Sequence, residues 1–574
     1  NQRGRICCLV LLTLGVLAVV VALVVILTQP ECGPQQYLHG AVAADTKICS
    51  DIGRDILKSG GTAVDAAIAA LICTSVMNPQ SSGLGGGVIF TIYNASTGTV
   101  EVINARETVP RVFLRDLLTR CADVPIGPHW IAVPGEIRGY EEAHKRYGRL
   151  PWKSLFEPTI KLLSEPLVIS PVMDKIMSHK NFSEPGQSLC PLLCEGRRFL
   201  NHGETFRWPA LQRTLRAVAE NGASAFYEGP IGKALVEDLR KAESNISLED
   251  LKAYKAEVSS ALNITLNNYT VFSPGPPMGG AVLLFILKIL EGKFIREKGR
   301  QEVYSLATPE EKVENYHLIA EALKFGNMQK PHMSDPAFSD AQVSLTLLSD
   351  KIAKLVRSQI DDRGDHPLSH YQLLESTSSH RYKTKGTTHI SVLAADGSAV
   401  SATSTINYPF GSFVYSNQTG IILNNELADF CIANRSIKPG DHIEGIMLSA
   451  SSLGEKPPSA MVPSILVTKT GDMLVIGGAG GSWIISATAM AIINKLWLGY
   501  DLEHAIAAPI MHTEGDEILF ETHFSEEVRS GLLRRGHKEK KVMIAMNVVQ
   551  GISKEGKCIS AYSDIRKLGK SAGY

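Results

Sequence analysis

Gly386-Thr387-Thr388-His389 stands after a polar stretch and opens an apolar, alternating run. A threonine that became the first residue of a chain would carry two reactive groups: its hydroxyl as nucleophile and its own α-amine as base. An α-amine titrates near neutrality, so it takes the hydroxyl proton at working pH. This chemistry requires the chain to be cut between Gly386 and Thr387. Gly386, without a Cβ, permits the strained backbone that attack on its carbonyl would need. A Gly-Thr pair before a strand is by itself most often an ordinary strand threonine, so its surroundings decide.

Those surroundings read as a hairpin. Thr387 to Leu393 forms one strand, Ala395-Asp396-Gly397-Ser398 the turn, and Ala399 to Ile406 the return. With Asp396-Gly397 as a two-residue turn, position 387 faces 406, or 407 for a longer loop. Thr405 then comes within reach of the Thr387 amine or hydroxyl, and Asn407 can face a substrate. Which side chains share a face depends on the register.

Further elements frame this hairpin. Residues 51–77 read as one helix, capped by Ser50 or Asp51 and ended at Asn78-Pro79-Gln80. A glycine cluster, Gly83 to Gly87, reads as close backbone packing near the site. It precedes a strand, Val88 to Tyr93. A second strand, Val100 to Ala105, delivers Arg106-Glu107. Residues 130 to about 330 read as helical with short loops, including an apolar helix from Ala281 to Leu290. Residues 291–310 and 361–386 are polar, the latter exposed and flexible. Strands at 465–467 and 473–476 lead to Gly477-Gly478-Ala479-Gly480-Gly481 and a helix from Ile484 to Leu498. No Gly-Lys-Ser/Thr follows either glycine cluster, which excludes a P-loop.

Charge balance narrows the function. Lys+Arg and Asp+Glu are equal at 58 each, so the chain has no net electrostatic footprint for nucleic acid. The uncharged run from Ile6 to Thr28 would span roughly 34 Å as a helix, enough for a bilayer core. Arg3 and Arg5 precede it, which puts the N-terminus in the cytosol: residues 1–5 are a cytoplasmic stub and 6–28 a type II signal-anchor at the cell membrane. The run exceeds a signal-peptide core, and the Ala-x-Ala at Ala41-Val42-Ala43 lies well past it. Sequons at Asn94, Asn181, Asn245, Asn263, Asn268, Asn417 and Asn434 exceed the roughly three that chance would place and fit an extracellular domain. Cys190 and Cys194 bracket a Pro-containing loop and suit a short disulfide or, less well, half a metal site. Arg363-Gly364-Asp365 reads as a chance tripeptide, the His366/His370 pair is interrupted by Pro367, and His389 and His512 read as structural histidines.

Several motifs together resemble the gamma-glutamyltransferase family. They are Gly386 to Val392, Asp396 to Asn407, Gly420 to Phe430, Pro458-Ser459-Ala460-Met461-Val462-Pro463, Gly477 to Gly481, Asn78 to Arg106, Trp130 to Tyr140 and Ser563 to Lys567. Asn78-Pro79-Gln80-Ser81, Pro276-Pro277, Gly364 to Tyr371 and Asn407-Tyr408-Pro409-Phe410 are similar to its leukotriene-cleaving branch.

The resemblance implies an α+β N-terminal-nucleophile hydrolase fold, a four-layer αββα sandwich. It implies a large subunit (29–386) and a small catalytic subunit (387–574) that stay paired after self-cleavage at Gly386-Thr387. Thr387 would attack the γ-glutamyl amide of glutathione, a glutathione S-conjugate or leukotriene C4, assisted by Thr405, with Gly480 and Gly481 as the oxyanion hole. Water, or an amino-acid or dipeptide acceptor, would take the acyl group from the Thr387 ester. Arg106 would grip the substrate α-carboxylate with Ser459, and Glu426, Asp429 and Asn407 would hold the α-ammonium. Ala460 stands where the family usually has a second Ser, and Pro409 where many members have Tyr. The family pattern implies Cys49–Cys73 and Cys190–Cys194 disulfides with most other cysteines free, and no metal or organic cofactor. Two rival readings are an amidase of the same fold with another acyl group, and a catalytically impaired membrane scaffold.

Overall fold

The computed structural model describes residues 2–28, 32–114, 117, 121, 125–179, 182–296, 308–339, 342–374, 386–432, 435–436, 454–541 and 547–574. Its central strands read as continuous apolar or small-residue runs because both of their faces are covered. In the strand Gly386–Leu393 every residue is buried, as is every residue of its partner Ala399–Asn407.

Two seven-stranded antiparallel sheets form the middle of the molecule. The first runs Ala572–Gly573, Ala41–Ala43, Gly386–Leu393, Ala399–Asn407, Gly87–Asn94, Thr99–Ala105, Glu257–Ser260. The second runs Gln36–Tyr37, Cys558–Ser563, Val548–Glu555, Met473–Ala479, Ser464–Thr468, Tyr269–Ser273, Leu262–Leu266. Helices Ala63–Met77 and Glu136–Tyr147 cover the outer face of the first sheet, and Gly280–Arg296 and Ile484–Leu496 that of the second. This is the expected αββα order. The hydrophobic core divides accordingly. Ile68 and Ile72 pack on Phe90, Ile390 and Val392; Phe285 and Ile492 pack on Leu466 and Ile476; Ala43, Leu393, Ile465 and Val475 fill the space between the sheets.

Several elements depart from the sequence reading. The expected helix over 51–77 is two helices, Lys47–Lys58 and Ala63–Met77. Gly60, at φ +88°, turns the chain between them. Thr46 caps the first, and Thr62 forms a reciprocal capping box with Asp65 on the second. The helical stretch over 130–330 includes the strands Glu257–Ser260, Leu262–Leu266 and Tyr269–Ser273. Glu257–Ser260 and Leu262–Leu266 are edge strands, while Tyr269–Ser273 lies inside the second sheet between Leu262–Leu266 and Ser464–Thr468. The hairpin loop holds three residues, since Ala394 N donates to Ser398 O and Gly397 takes φ +86°. Within 361–386, Gly364 and Tyr371 are buried and carry hydrogen bonds; 375–385 lie outside the described residues, as do 297–307.

The cysteine pattern is also richer than expected. Cys49–Cys73 and Cys190–Cys194 are present. So are Cys32–Cys558 and Cys121–Cys431, 526 and 310 residues apart in sequence, so only Cys7 and Cys8 are free. Pairs so distant leave no spacing signal. The N-terminal helix Gln2–Thr28 carries an unburied apolar span, Ile6–Val25. Asn263, Asn268 and Asn417 are exposed, Asn94 and Asn245 half-buried; Asn181 and Asn434 lie outside the described residues.

The glycine cluster before Gly87–Asn94 packs as expected. A Cβ on Gly86 would stand 2.0 Å from Thr405 O, closer than any real contact. Gly86→Ala is therefore expected to destabilise by about 1–3 kcal/mol through overpacking, read as a lower urea midpoint with unchanged slope.

Candidate active site

Side-chain alternation puts His389, Ser391, Ser401 and Thr403 between the two sheets. There the hydroxyls of Ser401 and Ser391 donate to the carbonyls of Ile476 and Gln550 across the gap, at 3.0 and 3.1 Å. His389 is satisfied on both nitrogens by Thr403 and Ser391, and burial holds its imidazole down at about 3. It is neutral and structural, as expected.

At the open end of this layer the ladder slips. Thr388 pairs with Ser404, but Gly386 pairs with Asn407, so Thr405 and Ile406 form a bulge opposite Thr387. The two-residue-turn register was therefore one residue off along most of the hairpin, and the bulge restores it at Gly386. Thr387 Oγ1 donates to Gly386 O at 2.6 Å, and Thr405 Oγ1 donates to the same oxygen at 2.8 Å. The two hydroxyls are 3.2 Å apart, and Asn407 N donates to Thr405 Oγ1 at 2.9 Å. The carbonyl before Thr387 is thus polarised by two donors and lies against the hydroxyl able to attack it. Gly386 is not at positive φ; its need is steric. A Cβ there would meet Asn407 O, Tyr408 C and Pro409 N, all at 2.9 Å.

The backbone of Thr387 is held from far away. Lys567 Nζ donates to Thr387 O and to Asp45 Oδ2 at 3.2 Å, and Asp45 Oδ2 accepts from Thr388 Oγ1 at 2.6 Å. Asp45 and Lys567 were not singled out from the sequence. Lys567 lay in a quoted motif, but nothing local tied it to Thr387.

Across the recess is a buried charge cluster. Arg106, 1% exposed, sits 3.0 Å from Glu426 and 2.6 Å from Asp429, and its guanidinium also donates to the carbonyls of Pro457 and Pro458. Asn407 Nδ2 donates to Asp429 Oδ1 at 3.0 Å. Glu426 and Asp429 come from one short turn, Glu426–Phe430. A third carboxylate, Glu107, lies 3.8 Å from Arg106. Burial pushes Glu107 up to about 7 and raises Glu426 and Asp429, with Arg106 pulling each back. The carboxyl oxygens of Glu426 and Asp429 suit an ammonium group, while Arg106 beside them suits a carboxylate.

Thr387, Thr405, Arg106, Asp429, Ser459 and Gly481 line one recess with a cavity of about 20 Å³, room for one or two waters. Ser459 Oγ accepts from Met461 N at 3.1 Å, which leaves its proton to give. Gly480 and Gly481 lie at φ +119° and +64°, a conformation that favours glycine. Beneath that loop the buried Lys330 donates to Ser482 O at 2.9 Å, and burial lowers its ammonium to about 8. Ala460 and Pro458 complete the wall. Every residue expected at the site is found around this recess or, for Gly480, beside it. No group of three or more metal-ligating side chains occurs among the described residues.

Behind the hairpin, Glu136 Oε1 accepts from Tyr140 OH at 2.6 Å and from Ser404 Oγ at 2.8 Å. It anchors the residue next to Thr405, and sequence gave no sign of it.

Residues 49–574 match the Gamma-glutamyltranspeptidase family. The chain is 50% identical to human "Glutathione hydrolase 5 proenzyme" over 100% of this chain and 99% of that one. It is 34% identical to Arabidopsis thaliana "Glutathione hydrolase 3" over 93% and 84%. The solved cephalosporin acylase from Bacillus halodurans has the same fold, with a TM-score of 0.79 at 23% identity over 95% of this chain and 99% of that one.

Burial raises the Glu136 carboxyl to about 8, above its unfolded value of about 4.3. Its contribution to stability is therefore full below about pH 4 and lost as pH rises through about 8. Glu136→Gln keeps the acceptor and removes the titration. The variant is expected to lose less stability than the parent between pH 5 and pH 8, measured by urea unfolding at both.

Proposed function

The chain belongs to the gamma-glutamyltranspeptidase family, and from that premise we propose that Thr387 is both its self-cleavage residue and its catalytic nucleophile. The protein is a gamma-glutamyl hydrolase/transpeptidase of glutathione-type substrates. The observation that carries the assignment is the bulge in which two hydroxyls converge on the Gly386 carbonyl.

In the uncut chain the Thr387 hydroxyl adds to the Gly386 carbonyl carbon. The C–N bond breaks as the amine takes a proton, and Gly386 becomes an ester on Thr387. Water hydrolyses that ester, which frees the Gly386 carboxylate and the Thr387 α-amine. The name proenzyme carried by the human and rat glutathione hydrolase 5 relatives supports such a step. The large subunit then ends at 386 and the small one spans 387–574.

The Gly386 carbonyl occupies the place that a substrate amide must take. Once it leaves, the γ-carbonyl of a γ-glutamyl group sits on Thr387 Oγ1, and the α-amine accepts the hydroxyl proton. Lys567, bonded to the Thr387 carbonyl and to Asp45, fixes the backbone that presents that amine. The oxyanion is received at Gly480 and Gly481. Cysteinylglycine, or its S-conjugate, leaves with the proton, and water or an acceptor amine resolves the ester.

Recognition exchanges ion pairs. The substrate α-carboxylate joins Arg106 and Ser459, and the α-ammonium joins Glu426, Asp429 and Asn407. A zwitterion enters without leaving any buried charge unpaired, which breaking one pair would cost about 3–5 kcal/mol. A simple acyl amide brings neither charge, which disfavours the general-amidase reading. The resemblance to the leukotriene-cleaving branch and the 50% identity to glutathione hydrolase 5 support leukotriene C4, giving leukotriene D4, among the conjugates used. The span Ile6–Val25 anchors the enzyme as a type II membrane protein with its catalytic domain outside, and the exposed sequons Asn263, Asn268 and Asn417 carry glycans.

Thr387→Ala is expected to remain one full-length chain on a reducing gel and to lose at least about 10³-fold in glutamate release, assayed on glutathione and on leukotriene C4. The parent is expected to give two bands, the smaller starting at Thr387. A parent that stays uncut and fully active overturns the mechanism. Activity on glutathione with none on leukotriene C4 removes the second substrate alone.

A further inference from the structure

The bonds that cross the cut are not all noncovalent. Cys32 lies on the large-subunit side of residue 386 and Cys558 on the small-subunit side; the same is true of Cys121 and Cys431. Cys49–Cys73 and Cys190–Cys194 each stay within the large subunit. The first crossing pair sits where the chain leaves the N-terminal apolar helix, beside the two-residue strand Gln36–Tyr37 paired to Cys558–Ser563. Gln36 Nε2 donates to Ser560 Oγ at 3.0 Å there. The second sits at the charge cluster, because Cys431 directly follows the turn Glu426–Phe430 that carries Glu426 and Asp429.

That turn is held by hydrogen bonds before it and by apolar packing of its own residues. Before it, Asn424 exchanges hydrogen bonds with both Ala132 N and Ala132 O, at 3.0 and 2.9 Å, and Asn425 Nδ2 donates to Pro125 O at 2.8 Å. Within it, Leu427, Ala428 and Phe430 pack with Val109, Leu117 and Trp130 in a small apolar cluster separate from the main cores. Cys121 and Cys431 lie at the edge of that cluster. Asp429 is two residues from Cys431 and contributes the shortest contact to Arg106, 2.6 Å.

We propose that Cys32–Cys558 and Cys121–Cys431 join the two subunits covalently across the 386–387 cut, and that Cys121–Cys431 positions Asp429 for the substrate ammonium group. The first half rests on the cleavage proposed above; the second does not, since the turn has the same neighbours in one chain or two. The mature enzyme is then a disulfide-linked heterodimer, and its catalytic subunit is tied to the membrane segment through Cys32 directly. Cys121 and Cys431 act through Asp429, as positioning residues.

The test uses the full-length enzyme in detergent. On a reducing gel the parent gives two bands; without reductant it runs as one linked species. Cys32→Ser/Cys558→Ser and Cys121→Ser/Cys431→Ser each still run as one, and the fourfold variant runs as two. A parent that separates without reductant overturns the cross-link. A parent that stays single with reductant shows instead that the cut is not made. That outcome overturns the cleavage and the inter-subunit link together, while the positioning role is still judged by kinetics.

For that role, Cys121→Ser/Cys431→Ser is expected to raise the glutathione KM about tenfold or more, the scale of one charge-assisted hydrogen bond. Its kcat is expected to stay within about twofold, and Cys32→Ser/Cys558→Ser is expected to change neither constant. Should the first variant fail to fold, the native parent is treated with dithiothreitol. The reagent gives two electrons and two protons to each disulfide it opens and leaves as its own cyclic disulfide. KM is then followed against labelling of Cys431. An unchanged KM with Cys431 fully labelled overturns the positioning role.

Discussion

The molecule is organised around one carbonyl. Gly386 O receives hydroxyl protons from Thr387 and Thr405 at once, and this requires a bulge at the end of an otherwise regular ladder. A regular register would alternate the two threonines in step with their neighbours and leave the peptide bond an ordinary member of the sheet. The bulge is held by groups on three sides. Gly86 lets the neighbouring strand approach Thr405, the close packing at Gly386 excludes any side chain, and Lys567 with Asp45 fixes the backbone just beyond. Each is a tight contact, so the peptide bond has little room to relax away from the hydroxyl.

Facing it is the inverse arrangement, a cluster where charge balance rather than sterics sets the chemistry. Arg106 is deeply buried yet paired, and the carboxylates around it outnumber it. Such a cluster is poorly solvated when empty and needs no new charge when an amino-acid head group enters. In the proposed reaction, selectivity for γ-glutamyl substrates and the reactivity of Thr387 therefore reside in different parts of the recess, coupled through Asn407. That residue bonds Thr405 through its backbone and Asp429 through its side chain.

Both large sheets mix strands from either side of residue 386. A cut at that point removes one peptide bond but separates no layer, since the central pair Gly386–Leu393 and Ala399–Asn407 stays flanked by Ala41–Ala43 and Gly87–Asn94. The proposed cleavage would therefore leave both sheets and their layers in place.

Much of this was legible in the sequence because it is local. The hairpin around Asp396-Gly397, the strand delivering Arg106, the three-residue spacing of Glu426 and Asp429, and the long apolar N-terminal helix each declare themselves within a few residues. The motifs' order was enough to imply the family and its layered fold. Tertiary structure alone decided what depends on distant segments meeting. It set a three-residue turn in the hairpin and, at the far end, the bulge opposite Thr387. It placed Lys567 and Asp45 at the Thr387 backbone, Glu136 behind Ser404, and Glu107 as a third carboxylate on Arg106. It paired Cys32 with Cys558 and Cys121 with Cys431. Sequence encodes which side chains a strand can present, because alternation and turn chemistry act between neighbours; which of them come into contact is fixed by the packing of two whole sheets, an interaction summed over hundreds of residues.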